Sequence, residues 1–231
     1  MKETKPEKEC PAGVCDCPFA GELALLKERC RRLEELSYVD ALTGLFNFRH
    51  LQRSLEMEME RTRRSRLPTS LIMSDLDHFK AINTQYGHEA GNAALVQVGA
   101  VFRENTRMID IPCRYGGEEF ALIMPGTSLV QATNIAERLR TVLKSTPFML
   151  NGEKVVLTAS YGVAIYTYSD DWTANDFLGK ADSFLYQAKT GGRNRVCAQQ
   201  IVIPTLPTVG VTQDEKDGLF AEFRTDEDEG R

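Results

Sequence analysis

The sequence lacks any apolar run of the roughly 20 residues that a membrane-spanning helix needs. Its opening residues, MKETKPEKEC, contain no apolar stretch, so they do not read as a secretory leader. It also lacks an excess of positive charge. Lys and Arg total 28 against 33 Asp and Glu, for a formal net charge of −5. Such a balance is not built to coat nucleic acid, and an anionic ligand must meet a local basic site. Cysteine is scarce beyond the N-terminus. Of six, only Cys113 and Cys197 lie past residue 30, and their apolar neighbours mark them as small core residues. Together these absences predict a soluble cytoplasmic protein without a disulfide framework.

What is present divides unevenly along the chain. Residues 1–21 form an arm rich in Pro, Gly, Lys and Glu that carries Cys10, Cys15 and Cys17. Residues 22–38 turn helical. Leu23, Leu26, Cys30, Leu33 and Leu36 recur at three- and four-residue steps among charged neighbours, the narrow stripe of a coiled-coil stalk that would pair two copies. A surface helix lying on the domain is the alternative. Thiolates at Cys10, Cys15, Cys17 and Cys30 could bind zinc or an iron–sulfur cluster; free thiols, with Cys30 in the stalk seam, are the other reading. Residues 39–200 form one domain, with the 42% hydrophobic content that a good core requires. From 201 to 231 two prolines and QDEKDGLFAEFRTDEDEGR make an acidic, flexible tail.

Within the domain, Asn47 is placed to cap an amphipathic helix from Phe48 to about Arg66. TSLIMSD (69–75) reads as a buried strand and Glu89–Glu104 as a helix. A hairpin surrounds Gly116-Gly117. Ser128–Lys144 follows as a helix, residues 155–166 as a strand, 173–189 as a helix and 193–198 as a closing strand. Helices alternate with strands that also pair as hairpins, which predicts an α/β (α+β) mixed sheet flanked by helices.

The chemistry concentrates in CRYGGEEFALIMP (113–125). Two glycines permit a tight turn with positive φ and let a ligand approach the backbone. Glu118 then projects from a strand end, and Asp75 ends another strand. Carboxylates from neighbouring strand ends suit Mg²⁺, which takes oxygen ligands at about 2.0–2.1 Å and keeps water and substrate phosphate. Two such ions can stabilise the attacking and leaving oxygens of phosphoryl transfer. Simple turn caps are the alternative. Lys80, Lys189 and Arg193 supply cations of the kind that bind phosphate; Lys189 could equally complement a helix C-terminus.

RYGGEEF, SDLDHFKAINTQYGHEAGN, DALTGLFNFRHL and KADSFLYQAKTGGRNRV, in this arrangement from about Tyr38 to Ala198, resemble the GGDEF family of diguanylate cyclases. The resemblance implies a five-stranded mixed sheet flanked by helices, related to nucleotide cyclase and polymerase palm domains. It implies condensation of two GTP into cyclic di-GMP and two pyrophosphates, with Mg²⁺ (or Mn²⁺), by a homodimer whose protomers each hold half of the active site. Asp75 and Glu118 would be metal ligands, assisted by the Leu76 carbonyl, with Glu119 a further acid for a second metal. The backbone at His78 and Phe79, with Lys80, Lys189 and Arg193, would hold the triphosphate. Asn83 and the residue at position 92 would contact guanine, and the turn at Gly116-Gly117 would support the ribose and α-phosphate.

Arg107 and Asp110 form an RxxD motif, with five residues between Asp110 and Gly116. In the resembled family such a motif binds the product as an inhibitor, and Arg138 matches a secondary arginine of that site. An ordinary surface Arg–Asp pair is the alternative. One departure stands out. Asn92 replaces the common Asp of the family, which accepts from guanine N1–H and the 2-amino group. An amide offers one acceptor and one donor, which also suits adenine. At Asn92 the alternatives are an ordinary cyclase with a tolerated amide and one that also makes cyclic GMP-AMP. A separate alternative is a catalytically silent receptor that binds cyclic di-GMP at the RxxD site.

Overall fold

Strand β1 (Thr69–Leu76) is the spine of the structure, a computed structural model that describes residues 20–36, 38–150 and 153–199. It pairs antiparallel with β3 (Glu119–Met124) on one side and with β6 (Ala159–Tyr166) on the other. β2 (Ile111–Arg114) adds beyond β3, and β7 (Val196–Ala198) runs parallel to β6 at the far edge. The order β2-β3-β1-β6-β7 makes the expected five-stranded mixed sheet.

Alternation along β1 divides the core in two, since successive strand residues face opposite sides. Ile72 and Leu76, with Phe120, Leu122 and Val163, pack against α4 (His88–Glu104) and α5 (Leu129–Ser145). Leu71 and Met73, with Ala121, Ile123 and Ala164, pack against α2 (Phe48–Ser65) and α6 (Ala174–Thr190). A sheet covered on both faces needs apolar residues at every central position, and β6 is buried throughout. Cys113 belongs to the second core, where burial pushes its thiol pKa up to about 12. Cys197 on the edge strand is only half-buried.

Helix starts follow local chemistry. The Asn47 side chain accepts the His50 amide at 3.1 Å, as its position predicts. Ser128 with Gln131 and Thr173 with Asp176 form reciprocal capping boxes. Three expectations need correction. The closing strand does not span 193–198 but only Val196–Ala198, because Arg193 and Asn194 take left-handed conformations. Residues 155–166 are not one strand: Val155 ends a separate ribbon of β4 (Phe148–Leu150) and β5 (Glu153–Val155), and β6 begins only at Ala159. The partner sets the limit, because β1 ends where Leu76 pairs with Ala159. A short helix α3 (Phe79–Tyr86) also precedes α4. It buries only Phe79, so it lacks the apolar period that reveals longer helices.

The predicted stalk is helical, as α1 (Ala20–Leu36), with Leu23 and Leu26 exposed. Cys10, Cys15, Cys17 and the tail lie outside the described residues, and so does the side chain of Cys30.

β6 meets α6 at Gly162, where a Cβ would collide with the Ala181 carbonyl and the Leu185 amide. Backbone cannot move aside as a side-chain tip can. Gly162→Ala is expected to destabilise the fold by about 1–3 kcal/mol, the usual cost of overpacking. A denaturant midpoint equal to wild type would show that α6 is not so tightly seated.

Candidate active site

Three carboxylates gather at one end of the central strands. Asp75 is the register partner of Glu119, and the Leu76 amide donates to the Glu118 carbonyl at 3.2 Å. Lys189, in the last turn of α6, places its Nζ 2.8 Å from Asp75 Oδ2. Complementing the helix end is therefore not its only use. Burial raises the pKa of both Glu118 and Glu119, the charge of Asp75 raises it further, and Lys189 opposes the shift. Repelling acids of this kind favour a cation beside them. Among the described residues no cluster of three His, Cys, Asp or Glu side chains forms a ready cage for a metal. The set fits a hard ion that takes few protein oxygens and completes its shell with water and phosphate.

The turn that carries Glu118 is held from behind. Arg114 Nε donates to the carbonyls of Gly116 (3.0 Å) and Gly117 (3.1 Å), and its Nη2 donates to Gly117 at 2.7 Å. Its Nη1 lies 3.3 Å from both oxygens of Asp40. Asp40 also accepts from the Thr43 amide (2.8 Å) and hydroxyl (2.7 Å). Burial opposes ionisation of Asp40, but the Thr43 and Arg114 interactions outweigh it and hold its pKa below the usual range. The positive φ expected at Gly116 and Gly117 is not found; among the described glycines it occurs at Gly44, Gly87, Gly126 and Gly192. At Gly116 the need is space: a Cβ would lie 2.8 Å from Glu119 Oε2.

Two residues separate the start of α3 from the end of β1. His78 enters it with φ 58° and no side-chain cap. The amides of Ala81 (2.9 Å) and Ile82 (3.4 Å) both return to the His78 carbonyl. The preceding N–H groups of Phe79 and Lys80 stand at the open, positive end of the helix, a setting suited to anions. The Lys80 side chain is exposed, while Phe79 anchors the turn in the core. After α6, Arg193 and Asn194 both take left-handed conformations, with φ 62° and 45°. The Arg193 side chain is exposed.

Asn83 lies where α3 packs on α4. Gly91 is buried against the Asn83 side chain, and a Cβ there would overlap Asn83 Oδ1. Asn92, the next residue, is exposed.

Residues 37–195 match the family described as "Diguanylate cyclase, GGDEF domain". The chain belongs to the GGDEF family. It is 41% identical over 164 residues to the response regulator PleD of Caulobacter vibrioides, an alignment covering 70% of this chain and 36% of PleD. It is 34% identical over 191 residues to the diguanylate cyclase DgcP of Pseudomonas aeruginosa, covering 77% of this chain and 28% of DgcP. The chain thus spans about a third of the length of these relatives. Among solved structures, the coiled coil and GGDEF domain of DgcB from Caulobacter crescentus, in complex with c-di-GMP, is similar with a TM-score of 0.68 and 26% identity. That likeness covers 79% of this chain and 96% of DgcB's. The active GGEEF domain of a diguanylate cyclase from Vibrio cholerae gives a TM-score of 0.63 at 32% identity, covering 67% and 97%.

Elsewhere on the GGDEF domain, the RxxD residues close a small turn. The Arg107 amide donates to Asp110 Oδ2 at 2.8 Å, and the Asp110 amide returns to the Arg107 carbonyl at 3.0 Å. Asp110 is 4% exposed, and its Oδ1 is buried with no protein partner. Burial raises its pKa against the Arg107 amide and the charges of Arg107 and Arg138. Arg138 reaches this turn from α5, donating to the Asn105 carbonyl. The three residues converge although 31 positions separate Arg107 from Arg138.

Sequence reasoning left Asp40, Arg114 and Asp77 without a role. Arg114 and Asp77 stand inside motifs rich in assigned residues, which was the available signal. The decisive contacts are distant: Arg114 and Asp40 are 74 positions apart, and Asp77 and Thr158 are 81.

Proposed function

We propose that this GGDEF chain is a diguanylate cyclase that condenses two GTP into cyclic di-GMP and two pyrophosphates. The observation that carries the reading is the meeting of Asp75, three residues ahead of the His78 turn that opens α3, with Glu118, Glu119 and Lys189. Asp75, the Leu76 carbonyl and Glu118 would hold Mg²⁺ or Mn²⁺, with Glu119 available to a second ion. Such an ion, when bound, supplies positive charge to the phosphates and the leaving pyrophosphate. The Phe79 and Lys80 amides at the end of the His78 turn, with Lys80, Lys189 and Arg193, orient the triphosphate. Each 3′-hydroxyl attacks the α-phosphate of the other GTP, and each P–O bond to pyrophosphate breaks.

One protomer supplies one such site, so turnover requires two copies. The exposed Leu23 and Leu26 of α1 support pairing through the stalk, which raises the effective concentration of the facing halves. Arg107, Asp110 and Arg138 make a site where product inhibits. No helix among the described residues is long and apolar enough to cross a membrane. Mass analysis of the products formed from GTP and Mg²⁺ tests the reading. Absence of cyclic di-GMP, with retained binding of cyclic di-GMP, would favour the silent receptor.

Asn92 supports a second reading, relaxed base choice. Its amide is exposed next to the Gly91–Asn83 contact and offers both a donor and an acceptor. With equal GTP and ATP the chain is expected to yield cyclic GMP-AMP beside cyclic di-GMP. Asn92→Asp should shift the ratio toward cyclic di-GMP about tenfold, a change worth about 1.4 kcal/mol. Cyclic di-GMP as the only product of both proteins would leave Asn92 without a part in specificity.

A further inference from the structure

We propose, on the cyclase reading above, that Asp77 is a positioning residue that sets the two triphosphate-holding segments against each other, with Arg140 bracing the second. Asp77 is 6% exposed, and a buried carboxylate is costly unless its oxygens are satisfied. Here three hydrogen bonds satisfy them, and they come from two distant parts of the chain. Oδ1 accepts from Ser160 Oγ at 2.7 Å. Oδ2 accepts from Thr158 Oγ1 at 2.8 Å and from the Asn194 backbone amide at 3.0 Å.

The placement of these bonds matters more than their number. Asp77 immediately precedes His78, the left-handed residue that opens α3. Asn194 immediately follows Arg193, and both of these residues are left-handed, a conformation disfavoured for residues with a Cβ. A single carboxylate therefore joins the turn that presents the Phe79 and Lys80 amides to the loop that presents Arg193. Ser160 and Thr158 fix the same carboxylate to β6 and the residues before it, so the link has a rigid base.

Asn194 is gripped at its other end too. Its Oδ1 accepts from Arg140 Nη1 at 3.3 Å, and Arg140 Nε donates to Glu137 at 2.7 Å. Beneath the link lies the fully buried Tyr161 hydroxyl, which has no hydrogen-bond partner in the protein. Burial, first, and the nearby charge of Asp77 raise its pKa, so it stays a neutral hydroxyl. The sheet does not need this arrangement to form, since β6 already pairs with β1 along its whole length. What the carboxylate adds is the spacing between the two segments.

Asp77→Asn keeps the volume but replaces one acceptor oxygen with an N–H donor. Its oxygen can still accept from the Asn194 amide while its NH2 donates to the Ser160 hydroxyl, so the variant that cuts the link is Asp77→Ala, which removes both acceptors. The test measures KM, kcat and GTP affinity for Asp77→Ala, Asp77→Asn, Arg140→Ala, Arg193→Ala and the double variants of Asp77→Ala and of Arg140→Ala with Arg193→Ala. Asp77→Ala is expected to raise KM about tenfold with kcat within about threefold of wild type, the pattern of lost substrate grip, and Asp77→Asn to restore a KM near that of wild type. Arg140→Ala is expected to raise KM about threefold, with an unchanged melting temperature. Each double variant should be no worse than Arg193→Ala alone, because the lesions act through one group.

Multiplied effects in the double variants, or a fall in kcat with KM unchanged, would overturn the assignment. If Asp77→Ala does not fold, the Arg140→Ala and Arg193→Ala cycle decides on the same criteria. A wild type that makes no cyclic di-GMP would sink the cyclase reading instead. The positioning role would then stand or fall on the same cycle read by GTP affinity.

Discussion

Glu118→Gln is expected to lower cyclic di-GMP formation about a thousandfold, a loss of about 4 kcal/mol of transition-state stabilisation. The substitution preserves shape and removes charge. The fold should not suffer, because the Glu118 carbonyl still accepts from Leu76 and the turn is held through backbone carbonyls by Arg114. Burial and the charge of Asp75 both disfavour the Glu118 carboxylate. An amide there should leave the melting temperature equal to or above that of wild type. Activity and stability thus move independently, as they do where a site stores repulsion for a ligand. Initial rates of pyrophosphate release, alongside a thermal melt, check both parts. Rates within tenfold of wild type in a folded variant would remove Glu118 from metal binding.

Arg107→Ala is expected to raise the concentration of cyclic di-GMP needed for half-inhibition at least a hundredfold, with the initial rate within about twofold of wild type. A hundredfold change corresponds to about 2.7 kcal/mol, in keeping with the loss of a guanidinium fork from an anionic ligand. The turn itself should persist. Arg107 engages Asp110 through its main chain, and its side chain is exposed. Arg138 remains to offset the Asp110 charge. Unchanged inhibition by added cyclic di-GMP would show that the RxxD turn is only an Arg–Asp surface pair.

The sequence by itself determined whatever depends on near neighbours. The short buried run TSLIMSD and the Asn47 cap each act within a few residues, and each is found where the pattern placed it. The four motifs carried the family for the same reason: their residue types and spacing are legible without coordinates. Only the tertiary structure decided that β6 starts at Ala159, that Lys189 turns to Asp75, and that Arg114 bridges Gly117 to Asp40. It also showed that one buried carboxylate at Asp77 ties residues 81 to 117 positions apart. Such contacts depend on which strands become neighbours and in what register. A shift of one residue would turn every side chain to the opposite face, and no local pattern encodes the partner that prevents it.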